Sequence, residues 1–512
     1  MTQDFNISVK NKVFLYGIDG ATWDVINPLL KDGKLPNLKR IIDTGVRGIL
    51  KSIEPPVSPM VWTSIATGKI PEKHGVKDFY VTSKSVKTKR IWNILQESGW
   101  KVGLMDYLVT WPPEKVHGFC IPSHFAHGIE TYPENLSWIN KLLMETKREE
   151  VLSIKKSIDY ISKFLKYRIS LKTILNSSFF KLKNRFLRLS FYEYFYPVRK
   201  IKIDIRTDIL KNLYKRYHVD FLTYITNLVD AASHNYWRFY QPEKFKDKEI
   251  DKNSLKKYSS IIADAYIQTD KTLGKILKIF NEPPITIVVS DHGFRANTDE
   301  SAGVSLTIKP GNIAKVLNLG KNFRYFNIGG SSIFRTIDEN KKAEEKLRKE
   351  LLRFKIYKYG TQVFKLRESK LYNVIITLNN DIDFSEGTES MINAPDGKIY
   401  KLEDFVRSSG KSISGTHHPD GIIILNGPMF KNGTQISNAS VLDVTPTLLY
   451  SINLSIAKDF DGKVLKDAFK DDFVKKNKVD LIDSFNEGWE YREDEAKMEN
   501  ILKRRLEELG YL

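Results

Sequence analysis

Cysteine is almost absent: the 512-residue chain has one, Cys120. A lone thiol excludes a disulfide framework within the chain and suits a reducing compartment. No run of about eighteen apolar residues occurs, so no segment reads as a transmembrane helix. The opening MTQDFNISVKNKVFLYGIDG lacks the charged-then-apolar layout of a secretion signal, and a cytoplasmic protein is expected. Internal repeats and low-complexity tracts are missing too. Acidic residues are the minority charge, 62 Asp and Glu against 81 Lys and Arg, for a formal net charge of +19. That balance suits polyanions, anionic membrane surfaces or phosphorylated substrates without choosing among them.

What is present is the composition of a globular protein, 41% hydrophobic and 28% charged. Short apolar runs alternate with helical patterns, which predicts an α/β fold with a mainly parallel sheet. Candidate core strands are 12–19, 100–107, 220–229, 285–290 and 421–427, and the spacing over 257–280 predicts an amphipathic helix. Two stretches break this rhythm. Residues 151–218 carry 17 Lys and Arg against 4 Asp and Glu, with aromatics interleaved, as in FFKLKNRFLRLSFYEYFYPVRK. The second, near 298–411, has helix and strand patterns but no cluster of ligand-type residues. The closing REDEAKMENILKRRLEELGYL reads as a charged amphipathic helix on the surface.

The core strands end in an unusual way. YGIDG places Asp19 at a strand's C-terminal end before a glycine; TNLVDAASH places Asp230 similarly, with His234 four residues on; ITIVVSDHG ends in Asp291 and His292. Ligands of parallel α/β sheets bind at those ends. Taken alone, each such Asp is a helix cap or turn residue. Three acidic ends on one edge are costly unless cations neutralise them. One helical turn would bring Asp230 and His234 onto a common face. SGTHHPDG adds His417 and His418, for three Asp and three or four His, enough for two metals with open positions. Asp and imidazole without thiolate suit Zn²⁺ or Mn²⁺. Ser58, in PPVSPMVWTSIATGK, follows a Pro-rich approach and precedes Pro59, a helix-start signal. Its plain reading is a helix cap; its functional reading is a nucleophile whose alkoxide is stabilised by backbone amides and a metal.

In order along the chain, Asp19-Gly20, PNLKRIIDTGVRG, PPVSPMVWTSIATGKIPEKHGV, Asp230-x-x-x-His234, SDHG and GTHHPDG resemble the alkaline phosphatase superfamily. Within it the match is to the type I phosphodiesterase/nucleotide pyrophosphatase family in its bacterial and archaeal form, over 12–125, 216–296 and 412–512. The resemblance implies a mainly parallel central sheet flanked by helices, with two cap insertions. The expected parts are a catalytic core at 12–125, 216–297 and 412–470, a basic helical insertion at 126–215, a cap at 298–411 and a helical tail at 471–512. It also implies that Asp19, Asp291 and His292 bind one metal, which contacts the Ser58 oxygen, and that Asp230, His234 and His417 bind another. His417 rather than His418 fills the family's Gly-x-His pattern, and His74 fits a structural turn.

The activity implied is hydrolysis of phosphodiester or phosphoanhydride bonds through a phosphoserine on Ser58, with two divalent ions, Zn²⁺ or in its place Mn²⁺. A phosphomonoesterase or phosphomutase of the same fold, or a membrane-surface or polyanion-binding protein using the basic insertion, is the alternative. Ser58 stands where relatives have Thr and keeps the hydroxyl. Val61, three residues on, can donate no hydrogen bond to a phosphoryl oxygen, which leaves diester against monoester preference open. The sulfatase branch is disfavoured by Met60 and Trp62, where it needs Pro and Arg. The partner implied is a small phosphorylated substrate, nucleotide- or lipid-linked. No nucleic-acid module is recognisable. The basic stretch reads most simply as a helical cap with a solvated basic face, and alternatively as a peripheral contact with anionic membrane through 151–218.

Overall fold

The computed structural model describes residues 11–123, 125–144, 160, 162–245, 250–298, 306–328, 331–368, 374–379, 382, 391–408 and 414–489. The helix expected over 492–512 lies outside them.

Val13–Ile18 (β1) carries no charge and is buried along its whole length, as a strand covered on both faces must be. Alternate residues feed opposite faces: Val13 and Leu15 enter one apolar cluster, and Phe14, Tyr16 and Ile18 enter another. The strand is central in an eight-stranded sheet with Gly45–Lys51 (β2), Val102–Met105 (β3), Gly118–Ile121 (β4), Phe221–Thr226 (β5) and Ile285–Val289 (β6). Gly293–Ala296 (β7) and Gly415–His418 (β8) form a separate antiparallel pair, and Asp420–Asn426 (β9) and Thr434–Ser440 (β10) complete the main sheet. The order is β10-β2-β9-β6-β1-β5-β3-β4, and β9 alone runs against its neighbours. This is the mainly parallel α/β sheet the sequence predicts.

Helices cover both faces. Ser58–Thr67 (α1) is buried at all ten positions and lies on the face that holds Val13 and Leu15. Leu171–Leu187 (α2) packs on Phe191–Tyr217 (α3), whose Ile203, Ile209, Leu210 and Leu213 enter the other cluster with Leu228–Tyr240 (α4) and Ile261–Leu277 (α5). The expected strand over 220–229 is shorter, because Leu228 and Val229 begin α4. Both are buried at the helix start, so their apolar character does not mark strand. Described residues between 306 and 406 build a third apolar cluster on a four-stranded antiparallel sheet. They meet the core at the loop after His74, where the Phe326 ring lies 5.7 Å from Phe79 and Arg335 pairs with buried Asp78 at 3.1 Å. No helix among the described residues is long and apolar enough to cross a membrane.

Candidate metal centre

Register brings the first two carboxylates together. Gly17 of β1 faces Val289 of β6, so two residues on, Asp19 and Asp291 leave adjacent strand ends side by side. The chain turns at once at Gly20, which has φ 73°. A Cβ there would lie 2.7 Å from the Phe294 ring and 3.1 Å from the Asp230 Cα. That position therefore requires glycine for space and for conformation. Asp230 sits in the first turn of α4 and His234 one turn on; the Asp230 Oδ1 to His234 Nε2 distance is 3.3 Å. His417 arrives from β8, which pairs with β7 immediately after Asp291 and His292. Its Nε2 lies 3.0 Å from His234 Nε2 and 3.6 Å from Asp230 Oδ1, and its ring stacks on His292 at 3.7 Å. His418 does otherwise: its Nδ1 accepts from the Asp420 N–H, a turn contact.

Each of the three site histidines has its Nδ1 against a backbone carbonyl: His234 on Gly415 at 3.0 Å, His417 on Pro56 at 2.9 Å and His292 on Gly293 at 3.0 Å. A carbonyl can only accept, so each Nδ1 donates and each neutral ring presents a bare Nε2 lone pair inward. Two such lone pairs 3.0 Å apart repel. His292 Nε2 is also 3.5 Å from Asp19 Oδ1 and 3.4 Å from Asp291 Oδ2, acceptor against acceptor. Those two carboxylate oxygens are buried and have no hydrogen-bond partner. Acceptors crowded this closely, with one Asp291 oxygen served by the Gly20 N–H and the other by nothing, are what a cation resolves. Ligand atoms of Asp19, Asp291 and His292 lie within 4.8 Å of one another, as do those of Asp230, His292 and His417. His292 stands between the two groups.

The electrostatics follow from that crowding. Burial, with the Asp291 and Asp230 charges, pushes the Asp19 carboxyl well above its ordinary range. Burial raises Asp291 to about 7, against a smaller downward pull from Ser58. Burial alone would raise Asp230 as well, but the charges and hydrogen bonds of His234 and His417 hold it well below the usual carboxylate range. Burial would lower His234, and Asp230 overrides it upward. Burial and the neighbouring His417 keep His292 neutral.

Ser58 is the first residue of α1, with Val57 in the cap position, so its hydroxyl is not spent on capping. Its Oγ instead lies 3.4 Å from His292 Nε2. The helix reaches the sheet closely because β1 has Gly17 there: a Cβ would come within 2.6 Å of the Trp62 ring. Val61 is fully buried in the apolar cluster under α1, so it is a core residue and offers no donor to a phosphoryl oxygen. Beside Ser58, a cleft is lined by Pro59, Phe79, Leu108, Trp111, Phe125 and His127.

His74 stays outside the centre. Its Nδ1 accepts from the Val76 N–H at 3.1 Å and its Nε2 meets Ser64 Oγ at 2.8 Å. Burial lowers it to about 3, so it is a neutral tie between the end of α1 and the loop beyond. His74→Ala is expected to cost about 2–3 kcal/mol in urea unfolding, the penalty of orphaning two buried partners, with kcat changed by less than about twofold.

Sequence reasoning missed two features. Phe294, directly after the Asp-His-Gly triplet, is buried and its ring lies 4.7 Å from His234 and 5.3 Å from His417, walling the histidines with an apolar surface. Arg206 of α3 reaches Asp106 at the end of β3 at 2.7 Å. Burial lifts Asp106 to about 6 while Arg206 works against it. This pair fastens α3 to the ligand-bearing edge of the sheet.

Carboxylates at parallel strand ends, imidazoles with bare inward nitrogens and a hydroxyl at a helix start make up the layout of a metal-dependent phosphohydrolase. A family model for type I phosphodiesterase/nucleotide pyrophosphatase matches residues 13–351, and the chain belongs to that family of enzymes. Solved structures of human and of murine ectonucleotide pyrophosphatase/phosphodiesterase 5 are similar to it at 13% identity and a TM-score of 0.47, covering 90% of this chain and 100% of theirs. An inactive form of the murine protein in complex with AMP is similar at 13% identity and a TM-score of 0.46, with the same coverage. Comparison with curated protein sequences finds no match.

Proposed function

We propose that this chain hydrolyses phosphodiester or phosphoanhydride bonds of small phosphorylated substrates, nucleotide- or lipid-linked, with Ser58 as the nucleophile and two divalent cations at the centre. The observation that carries this reading is the set of donors without a proton: three bare Nε2 atoms and the unpartnered oxygens of Asp19 and Asp291, gathered beside the Ser58 hydroxyl. Asp19, Asp291, His292 and Ser58 would hold one cation, and Asp230, His234 and His417 the other. The donor chemistry suits Zn²⁺, with Mn²⁺ as the alternative. When bound, the cations supply charge stabilisation for the attacking and leaving oxygens.

The chain's own groups do the rest. Ser58 Oγ, at the positive end of α1, attacks phosphorus and forms a P–O bond as the bond to the leaving oxygen breaks; water then cleaves the phosphoserine. The first turn of α1 contains no acidic residue to repel an incoming phosphoryl group. The test compares kcat/KM for bis-(p-nitrophenyl) phosphate and p-nitrophenyl phosphate on metal-stripped, Zn²⁺-loaded and Mn²⁺-loaded protein. A diester preference of about tenfold or more, present only with metal, is expected. A monoester preference would move the assignment to a phosphomonoesterase, and no metal-dependent hydrolysis of either would sink it.

A further inference from the structure

The helix α2 turns an apolar stripe outward. Leu171, Leu175, Phe179, Leu182 and Phe186 are between 54 and 77% exposed. At a helical period they fall within an arc of about 80°. The opposite side is the one that holds the helix to the molecule: Thr173 is buried and donates to Asp208 Oδ2 at 3.0 Å, Ile174 packs against the core cluster, and the Phe180 ring lies 5.6 Å from Tyr194. Lys172 and Lys183 border the stripe on one side and Lys181 and Arg185 on the other. From 160 to 192 the chain carries eight Lys and Arg and no Asp or Glu. The solvated face expected to be basic is therefore apolar with a basic rim.

An isolated exposed leucine needs no explanation, but five large apolar residues aligned on one helix do. Two copies meeting through this face would bring like charges together along its whole length. A nucleic acid would satisfy the rim and leave the stripe in water. An apolar stripe inside a cationic border matches the boundary between acyl chains and anionic headgroups. The placement also has a consequence for the catalytic centre. The helix α3 ends just before β5 begins, so it runs back along the sheet, and its junction with α2 lies on the side where the strands end and the ligands cluster. Tyr192, at that junction, stacks edge-on against Tyr236 of α4, the helix that carries Asp230 and His234.

We infer that α2 is a docking surface for an anionic lipid bilayer, seating its apolar stripe among the acyl chains and its Lys and Arg rim among the headgroups, and so holding the catalytic edge near the membrane. The experiment is flotation of the full chain with vesicles of phosphatidylcholine alone, or with roughly a third phosphatidylglycerol. Binding to the anionic vesicles at least about tenfold stronger than to the neutral ones is expected, weakened at about 0.5 M salt. The double variant Phe179→Ser/Leu182→Ser, both on the exposed face, should bind about tenfold or more weakly. Its hydrolysis of bis-(p-nitrophenyl) phosphate in solution should stay within about twofold of the parent, since neither residue touches the centre. Absent binding to anionic vesicles, or equal binding by the variant, overturns the inference. So does a concentration-dependent dimer that the double substitution dissolves, which would put a second copy on this face. Vesicle binding without any hydrolysis would support the surface and count against the phosphohydrolase reading alone.

Discussion

Ser58→Ala should lower kcat for any phosphodiester substrate by roughly a thousandfold or more, while leaving the unfolding midpoint nearly unchanged. The size follows from what the side chain is free to do. Its hydroxyl is the contact to His292 at 3.4 Å, it does not cap α1, and it sits at the helix end where developing negative charge is favoured. Removing it takes away one oxygen and no packing, so the fold has no reason to respond. Ser58→Thr restores the hydroxyl and should recover the rate to within about tenfold. The two variants together separate a nucleophile from a positioning contact. If Ser58→Ala keeps the parent rate with metal bound, water attacks directly and the phosphoserine is wrong. If both variants lose the rate equally, space at the helix start rather than the hydroxyl is what matters.

Much of this centre was legible in the chain because its parts are local. An acid at the end of an apolar run before a glycine, and an Asp and His one helical turn apart, each announce their geometry through spacing alone. The parts that were not legible depend on the backbone or on three-dimensional orientation. The carbonyls of Pro56, Gly293 and Gly415 set the histidine tautomers, and any residue could supply a carbonyl. Val61 lies one turn from Ser58, and only the packing of α1 shows that it points into the core. The strand limit at Thr226 failed for a related reason, since Leu228 and Val229 are as apolar as a continuing strand. The α2 stripe is the clearest case. Its period is readable, but apolar residues at that spacing normally face a core. Only the burial of Thr173 on the other side reverses the direction.

Metal affinity at this centre should climb steeply with pH, by about tenfold or more per unit between pH 5 and 7, with protons released on binding. The sign comes from the metal-free protein. Asp291 is raised to about 7 and Asp19 is raised too, so the stability they contribute is fully present below the unfolded carboxylate value near 4 and is lost as pH rises through the folded value. For Asp291 alone that loss is roughly 4 kcal/mol at neutral pH. His234, also raised, acts in the same sense from about pH 6.5 upward. His292 and His74 are lowered and oppose the trend below that point, but neither takes up or releases a proton on metal binding in this range. Total stability therefore mixes both signs, whereas the increment caused by metal isolates the ligands. At pH 5 a cation must displace protons from Asp19, Asp291 and His234. At pH 8 fewer protons stand in its way, and the cation relieves the crowded carboxylates, of which Asp19 Oδ1 and Asp291 Oδ2 have no donor. With free Zn²⁺ about a thousand times above its dissociation constant the gain should approach about 4 kcal/mol, seen as a rise in Tm on metal addition that is large at pH 8 and shrinks toward pH 5. Asp291→Asn removes one of these protons: the metal-free variant should be more stable than the parent at pH 8, bind metal far more weakly, and show a shallower pH dependence. A metal-induced rise in Tm that is the same at pH 5 and pH 8 would mean that these carboxylates do not hold the cation.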